Sequence, residues 1–162
     1  MAHYNLPTPV SEADIRKLRI NDTVTLQNTL FGIRDATQIH LFDKGRKTRF
    51  DLNGHAVIHT APNVRKVPVS EEFPAGYEPI CIGTTTSDRM ERFTHPLMTQ
   101  NGVRMIVGKG GMREGSAAAF QGLVVCTLQS LVALQRSRQP GLNKLKMSIW
   151  MTSTRNLFGV LR

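Results

Sequence analysis

Short apolar runs separated by polar, glycine- and proline-containing stretches set the expected elements of this chain. Residues 1–10 carry two prolines and read as a loop or arm. Ser11-Glu-Ala-Asp14 has the form of a capping box and opens a short helix bearing Ile15 and Leu18. Val24-Thr-Leu26 reads as a strand entering a turn near Asn28, and residues 34–41 form a short helix after Gly32. Asn53-Gly54 signals a turn, with a strand over residues 56–60 behind it. Residues 63–79 hold three prolines and are expected to be a loop. Ile80-Cys-Ile82 is a short strand running into Gly83-Thr-Thr-Thr-Ser87, where Thr86 or Ser87 caps a helix that Pro96 limits or kinks. Val103-Arg-Met-Ile-Val107 is a further strand ending in Gly108-Lys-Gly-Gly111, and Ser116-Ala-Ala-Ala119 favours a helix after it. Strands alternating with helices predict an α/β fold. No internal repeat is visible, and 162 residues suit one domain with a real core.

Composition narrows the class. No apolar run approaches the ~20 residues of a membrane span, and the first residues lack a signal-peptide pattern, so a cytoplasmic, soluble chain is expected. Cys81 and Cys126 have 44 residues between them, which fits neither a zinc site nor a disulfide framework. They read as reduced, buried thiols. A cubane iron–sulfur cluster takes three or four cysteines, so this chain alone cannot ligate one. No pair of histidines has metal-helix spacing, and no metal ligands are assigned. The formal charge of +9 raises nucleic-acid binding, yet the charge is uneven. Residues 1–114 hold 15 Lys and Arg against 12 Asp and Glu, a net of +3, while residues 115–162 hold six bases and no acid. Aromatics are sparse and not interleaved with the bases, which argues against a nucleic-acid surface.

The candidate chemistry lies where strands empty into small polar loops. In α/β sheets ligands gather beyond the carboxyl ends of strands. The 83–87 turn offers hydroxyls and backbone N–H groups, with Arg89 close behind. Gly108-Lys-Gly-Gly111 offers Lys109 between glycines that let backbone approach a ligand, and it lacks the spacing of a phosphate-binding Walker loop. Arg34 follows Gly32 in a turn, where Arg34-Asp35 also reads as a surface ion pair. Arg supplies a planar fork for carboxylate and Lys a point charge, so the three cations suit a small dicarboxylate. His59, on an apolar strand, reads as a satisfied core residue.

The series Arg34-Asp35, Asp51-Leu-Asn-Gly54, His59-x-x-Pro62, Val64-Arg-Lys66, Gly83-x-Thr-Thr-Ser87-x-Arg-Met90 and Val107-Gly-Lys-Gly-Gly-Met112 resembles the tartrate dehydratase beta-subunit family. It is similar, less closely, to the C-terminal region of class I fumarases. The resemblance covers about residues 8–119. It implies a three-layer swivelling β/β/α domain, incomplete at the C-terminus. It also implies an iron–sulfur hydro-lyase that dehydrates a 2-hydroxy dicarboxylate, tartrate to oxaloacetate in preference to fumarate/malate chemistry. A partner alpha subunit, in a heterotetramer, would carry the [4Fe–4S] cluster, whose open iron position acts as Lewis acid on the leaving hydroxyl. This chain would bind no cofactor, nucleic acid or membrane and would be inactive alone. By resemblance Arg34, Arg89 and Lys109 bind substrate, Thr85 takes part in proton transfer, and Thr86, Gly108 and Gly110 shape the loops. Thr84 and Ala61 stand where the family usually has Pro and Gly, and Gln38 where a histidine is common.

After about residue 119 the resemblance stops. Residues 120–162 form an aberrant basic tail that reads as a shifted reading frame: over residues 145–159, the third base of each codon joined to the first two of the next gives, with permitted codon choices, an acidic Glu-Asp-Val-His segment ending Ser-Leu-Trp, similar to one the family carries. Such a chain would lose core-covering elements and expose apolar surface. A basic binding module and a relic without function are the rival readings.

Overall fold

Every residue of the strand Ala56–His59 (β4) is buried, which requires cover on both faces of its sheet. In the computed structural model, which describes residues 2–61, 63–123, 126–129, 134–135 and 149–151, β4 lies inside a seven-stranded sheet. The chain order is β1 (His3–Pro7), α1 (Glu12–Lys17), β2 (Thr23–Gln27), β3 (Leu30–Ile33), α2 (Asp35–Gln38), β4, β5 (Asn63–Lys66), β6 (Tyr77–Ile82), α3 (Glu91–Asn101), β7 (Met105–Gly108), α4 (Glu114–Leu123), β8 (Cys126–Gln129), β9 (Leu134–Gln135) and β10 (Ile149–Met151). A π-helical turn, Ile39–Asp43, extends α2, and a 3₁₀ turn, Asp88–Met90, leads into α3. The large sheet runs β1-β2-β10-β8-β7-β4-β3 and the small one β5-β6-β9. Mixed helices and sheets make this an α/β chain, as expected from the sequence.

Alternation along the central strands divides the core. Ala56, Ile58, Met105 and Val107 face one side, with Ile15 and Leu18 of the α1 region; Val57 and Ile106 face the other, with Leu97 and Phe120 of α3 and α4. The Ser11 cap is present: its hydroxyl accepts from Asp14 N–H at 3.2 Å.

Several sequence expectations are corrected. The N-terminal arm is the strand β1, parallel to β2 in full register from His3↔Thr23 to Pro7↔Gln27. It lies at the sheet edge, where proline is tolerated because no outer neighbour needs its missing N–H. Residues 63–79 are not all loop: β5 and β6 pair antiparallel, and Arg65 donates to Glu78 across them at 3.0 Å. The strand ending at Ile82 therefore belongs to the small sheet. Residues 30–33, unassigned from the sequence, form β3. Pro96 lies inside α3, which continues to Asn101 and ends at Gly102 in the left-handed region, φ 65°. Ser87 precedes the 3₁₀ turn but makes no capping bond. Cys81 is a free thiol and partly exposed rather than buried.

Candidate functional site

β3, β4 and β7 are adjacent and parallel, with Ile33 opposite His59 and Ile58 opposite Val107. Their carboxyl ends share one sheet edge, so Arg34, Thr60 and Lys109 leave the sheet together. The 83–87 turn is laid across that edge. Thr84 bridges Thr60, whose hydroxyl donates to Gly83 O at 2.7 Å. Thr85 N–H donates to His59 O at 2.7 Å, Thr86 bridges Lys109, and Ser87 N–H donates to Lys109 O at 3.0 Å. A Cβ at Gly108 would collide with Ser87 Oγ, so any larger residue there obliges Ser87 to move. Gly110 and Gly111 take φ of 74° and 60°, which favours glycine.

The sequence-predicted residues meet here in two ways. Arg34 Nε donates to Asp35 Oδ1 at 2.9 Å, Arg89 Nη2 lies 3.9 Å from Asp35 Oδ2, and Arg89 Nη2 also donates to Thr85 Oγ1 at 3.1 Å. Arg34, Asp35, Arg89 and Thr85 thus form one chain of polar contacts. The Arg34 hydrogen bond, then the Coulomb attraction of Arg34 and Arg89, holds Asp35 below the usual carboxylate range. Lys109 and Thr86 join through backbone pairing, and the Lys109 side chain is exposed without an ion pair among the described residues. A groove of about 700 Å³ lies alongside, lined by Asp88, Gly110, Gly111, Arg113 and neighbours; Arg34, Arg89 and Lys109 do not line it. The cations stand on an open rim.

Beneath the rim is a buried polar layer. His59, only 1% exposed, brings Nδ1 within 3.0 Å of Ser87 Oγ, while its Nε2 has no partner among the described residues. Among the described residues it is half satisfied rather than a fully satisfied core histidine, and burial pushes its pKa down to about 4. Gln38 is fully buried, with both amide atoms unpartnered among the described residues. A third group of contacts fastens the exit of the glycine loop. Glu91 accepts from Arg113 N–H, Ser116 N–H and Ser116 Oγ at 3.0, 2.7 and 2.6 Å, and Asp88 takes both arms of Arg113 at 2.6 and 2.9 Å. Sequence reasoning missed Asp35 as a shared partner, the His59–Ser87 pair and the Glu91 clamp. The Thr-Thr-Ser-x-Arg-Met spacing was the one available signal for Ser87.

Among the described residues no group of three or more His, Cys, Asp or Glu side chains is arranged to hold a metal, and no helix is long and apolar enough to cross a membrane. The donor set described does not fit an iron–sulfur cluster on this chain.

The cationic, threonine-bearing rim stands at the carboxyl ends of the parallel strands β3, β4 and β7, the place where ligands gather in α/β sheets. Residues 1–131 match the model of the fumarase C-terminus family, and the chain belongs to that family. It is 38% identical over 107 residues to the L(+)-tartrate dehydratase subunit beta of Escherichia coli (strain K12), covering 66% of this chain and 50% of that protein. It is 31% identical over 116 residues to a putative fumarate hydratase class I of Geobacillus stearothermophilus, covering 72% of this chain and 21% of that one. A putative L(+)-tartrate dehydratase subunit beta of Methanocaldococcus jannaschii is 29% identical over 115 residues, 69% of this chain and 56% of that protein. The chain thus spans about half the length of the curated beta subunits it matches.

Proposed function

We propose that this chain is the substrate-clamping small subunit of an iron–sulfur hydro-lyase acting on a 2-hydroxy dicarboxylate, tartrate to oxaloacetate before fumarate/malate. The observation that carries the reading is the chain of contacts from Arg34 through Asp35 to Arg89 and Thr85, beside Lys109, in a protein similar to beta subunits of tartrate dehydratase. Arg34 and Arg89 bind the substrate carboxylates or hydroxyl as forks, and Lys109 adds a mobile point charge. Asp35 holds the two arginines in place until a guest arrives. These are exposed ion pairs, weak enough for a dianion to compete with. Thr85, already accepting from Arg89, takes part in moving the substrate proton. A hydroxyl is a poor base, so a carboxylate of the partner completes the relay. Thr86, Gly108 and Gly110 fix the loops. The [4Fe–4S] cluster belongs, on this proposal, to a partner alpha subunit in a cytoplasmic heterotetramer, and the domain has the swivelling β/β/α form. The open rim fits a site that another surface closes.

Residues 120–162 belong to the same proposal as a tail read in a shifted frame after about residue 119; most of them lie outside the described residues. Sequencing the coding DNA tests this: the other frame should continue into the acidic Glu-Asp-Val-His segment, and its absence overturns the shift. The function itself is tested by co-expression with a tartrate dehydratase alpha subunit and an anaerobic assay on tartrate and fumarate. Turnover of tartrate should exceed that of fumarate, and replacing Arg89 or Lys109 by Ala should abolish it. Wild-type activity in either variant overturns the site assignment.

A further inference from the structure

One buried residue meets the 83–87 turn through both its backbone and its side chain. His59 is the last residue of β4; its carbonyl takes Thr85 N–H and its ring meets Ser87 Oγ. Both ends of the three-residue stretch 85–87 therefore hang on one residue. Ser87 passes the restraint on, since its N–H donates to Lys109 O and its Oγ fills the space above Gly108. The Gly108 Cα hydrogen side faces the same pair: a Cβ there would also lie 3.5 Å from His59 Nδ1. Arg89, two residues past Ser87, reaches back to Thr85 Oγ1.

An apolar side chain would be the cheaper occupant of this place. An unpartnered buried ring nitrogen is destabilising, and Nε2 has no partner among the described residues. The neighbours Val57 and Ile58 show what the strand otherwise uses. Burial keeps the ring neutral at ordinary pH, so it offers Ser87 one donor or one acceptor and no charge. Its one hydrogen bond is directed at the turn under the proposed site.

We propose that His59, acting through Ser87, is a positioning residue that fixes Thr85, Arg89 and Lys109 relative to one another. It touches no substrate. The inference rests on the hydro-lyase reading for its kinetic consequence and on the loop geometry alone for its structural one. A displacement of about 1 Å at reacting groups lowers rates by as much as ~100-fold.

The test compares Ser87→Ala, His59→Leu and His59→Asn in the full chain assembled with its alpha subunit. Asn places a polar atom near the position of Nδ1, and Leu does not. Turnover of tartrate should fall by roughly 10- to 100-fold in Ser87→Ala and His59→Leu and return most of the way in His59→Asn. Amide hydrogen exchange is read in parallel. The N–H groups of Thr85 and Ser87 should exchange faster in Ser87→Ala and His59→Leu, and those of Val57 and Ile106 should not. Equal turnover in His59→Leu and wild type, or equal loss in His59→Asn and His59→Leu, overturns the proposal. An inactive wild-type assembly contradicts the hydro-lyase reading instead, and exchange then decides: unchanged protection at Thr85 and Ser87 overturns the positioning role. Should His59→Leu not fold, Ser87→Ala, which removes only a hydroxyl, gives the same two readings.

Discussion

The exposed rim and the buried layer below it hold polar groups of opposite economy. On the rim, Arg34, Asp35 and Arg89 are paired yet wet, so their contacts can be exchanged for those of a guest at small cost. Below, His59, Ser87 and Gln38 are shielded from water, and each missing bond there is costly. On the proposed function, binding falls to the replaceable layer and geometry to the irreplaceable one. A side chain that a ligand must displace should be held loosely; the frame that aims it should not.

The largest effect expected concerns acid. His59 is neutral in the fold with a pKa near 4, against an ordinary value of 6.5. Below 6.5 the unfolded chain takes up a proton that the folded chain refuses. Stability should therefore be full above pH 6.5, fall as pH drops toward 4 and level off below it, by on the order of 3 kcal/mol. Denaturant melts of wild type and His59→Asn across this range check it; the variant should lack this component. An equal acid loss in both would show that the ring is not shielded. Gly108→Ala should come next, destabilising by about 1–3 kcal/mol because Ser87 must move aside. Thermal unfolding measures it, and Ser87→Gly in the same chain should recover part of the loss. Glu91→Gln removes the carboxylate that gathers Arg113 and Ser116, and about 1–2 kcal/mol should be lost in the same assay. Asp35→Asn sharpens the contrast from the rim side. It should leave the melting temperature unchanged while tightening tartrate binding, because two guanidinium groups lose their resident anion. Weaker binding would mean that Asp35 orders the arginines more than it occupies them.

How much of this was legible in the sequence depended on the kind of signal. Local chemistry read well: Ser11 with Asp14, the turn at Asn53-Gly54 and the buried run before His59 all follow from nearest neighbours. Edge and context did not. Pro7 pointed away from a strand, but an edge position removes the objection to proline. The prolines at 68, 74 and 79 masked β5 and β6, whose pairing depends on a partner many residues away. Pro96 suggested a limit or a kink; it sets no limit, since α3 runs on to Asn101, anchored by the buried Phe93, Leu97 and Met98. At the candidate site, the loop residues were visible through motif spacing. His59 and Ser87 lie 28 positions apart, and Glu91 and Ser116 25 apart, so neither pair has any local signature.

The central proposal is that the rim at the end of β3, β4 and β7 binds a single dicarboxylate. Calorimetric titration of the assembled protein with L-tartrate, in wild type, Arg89→Ala and the remote Arg16→Ala, tests it directly. Loss of one charge-assisted contact should weaken binding about 10- to 100-fold in Arg89→Ala, with Arg16→Ala unchanged. Equal affinity in all three proteins would contradict it.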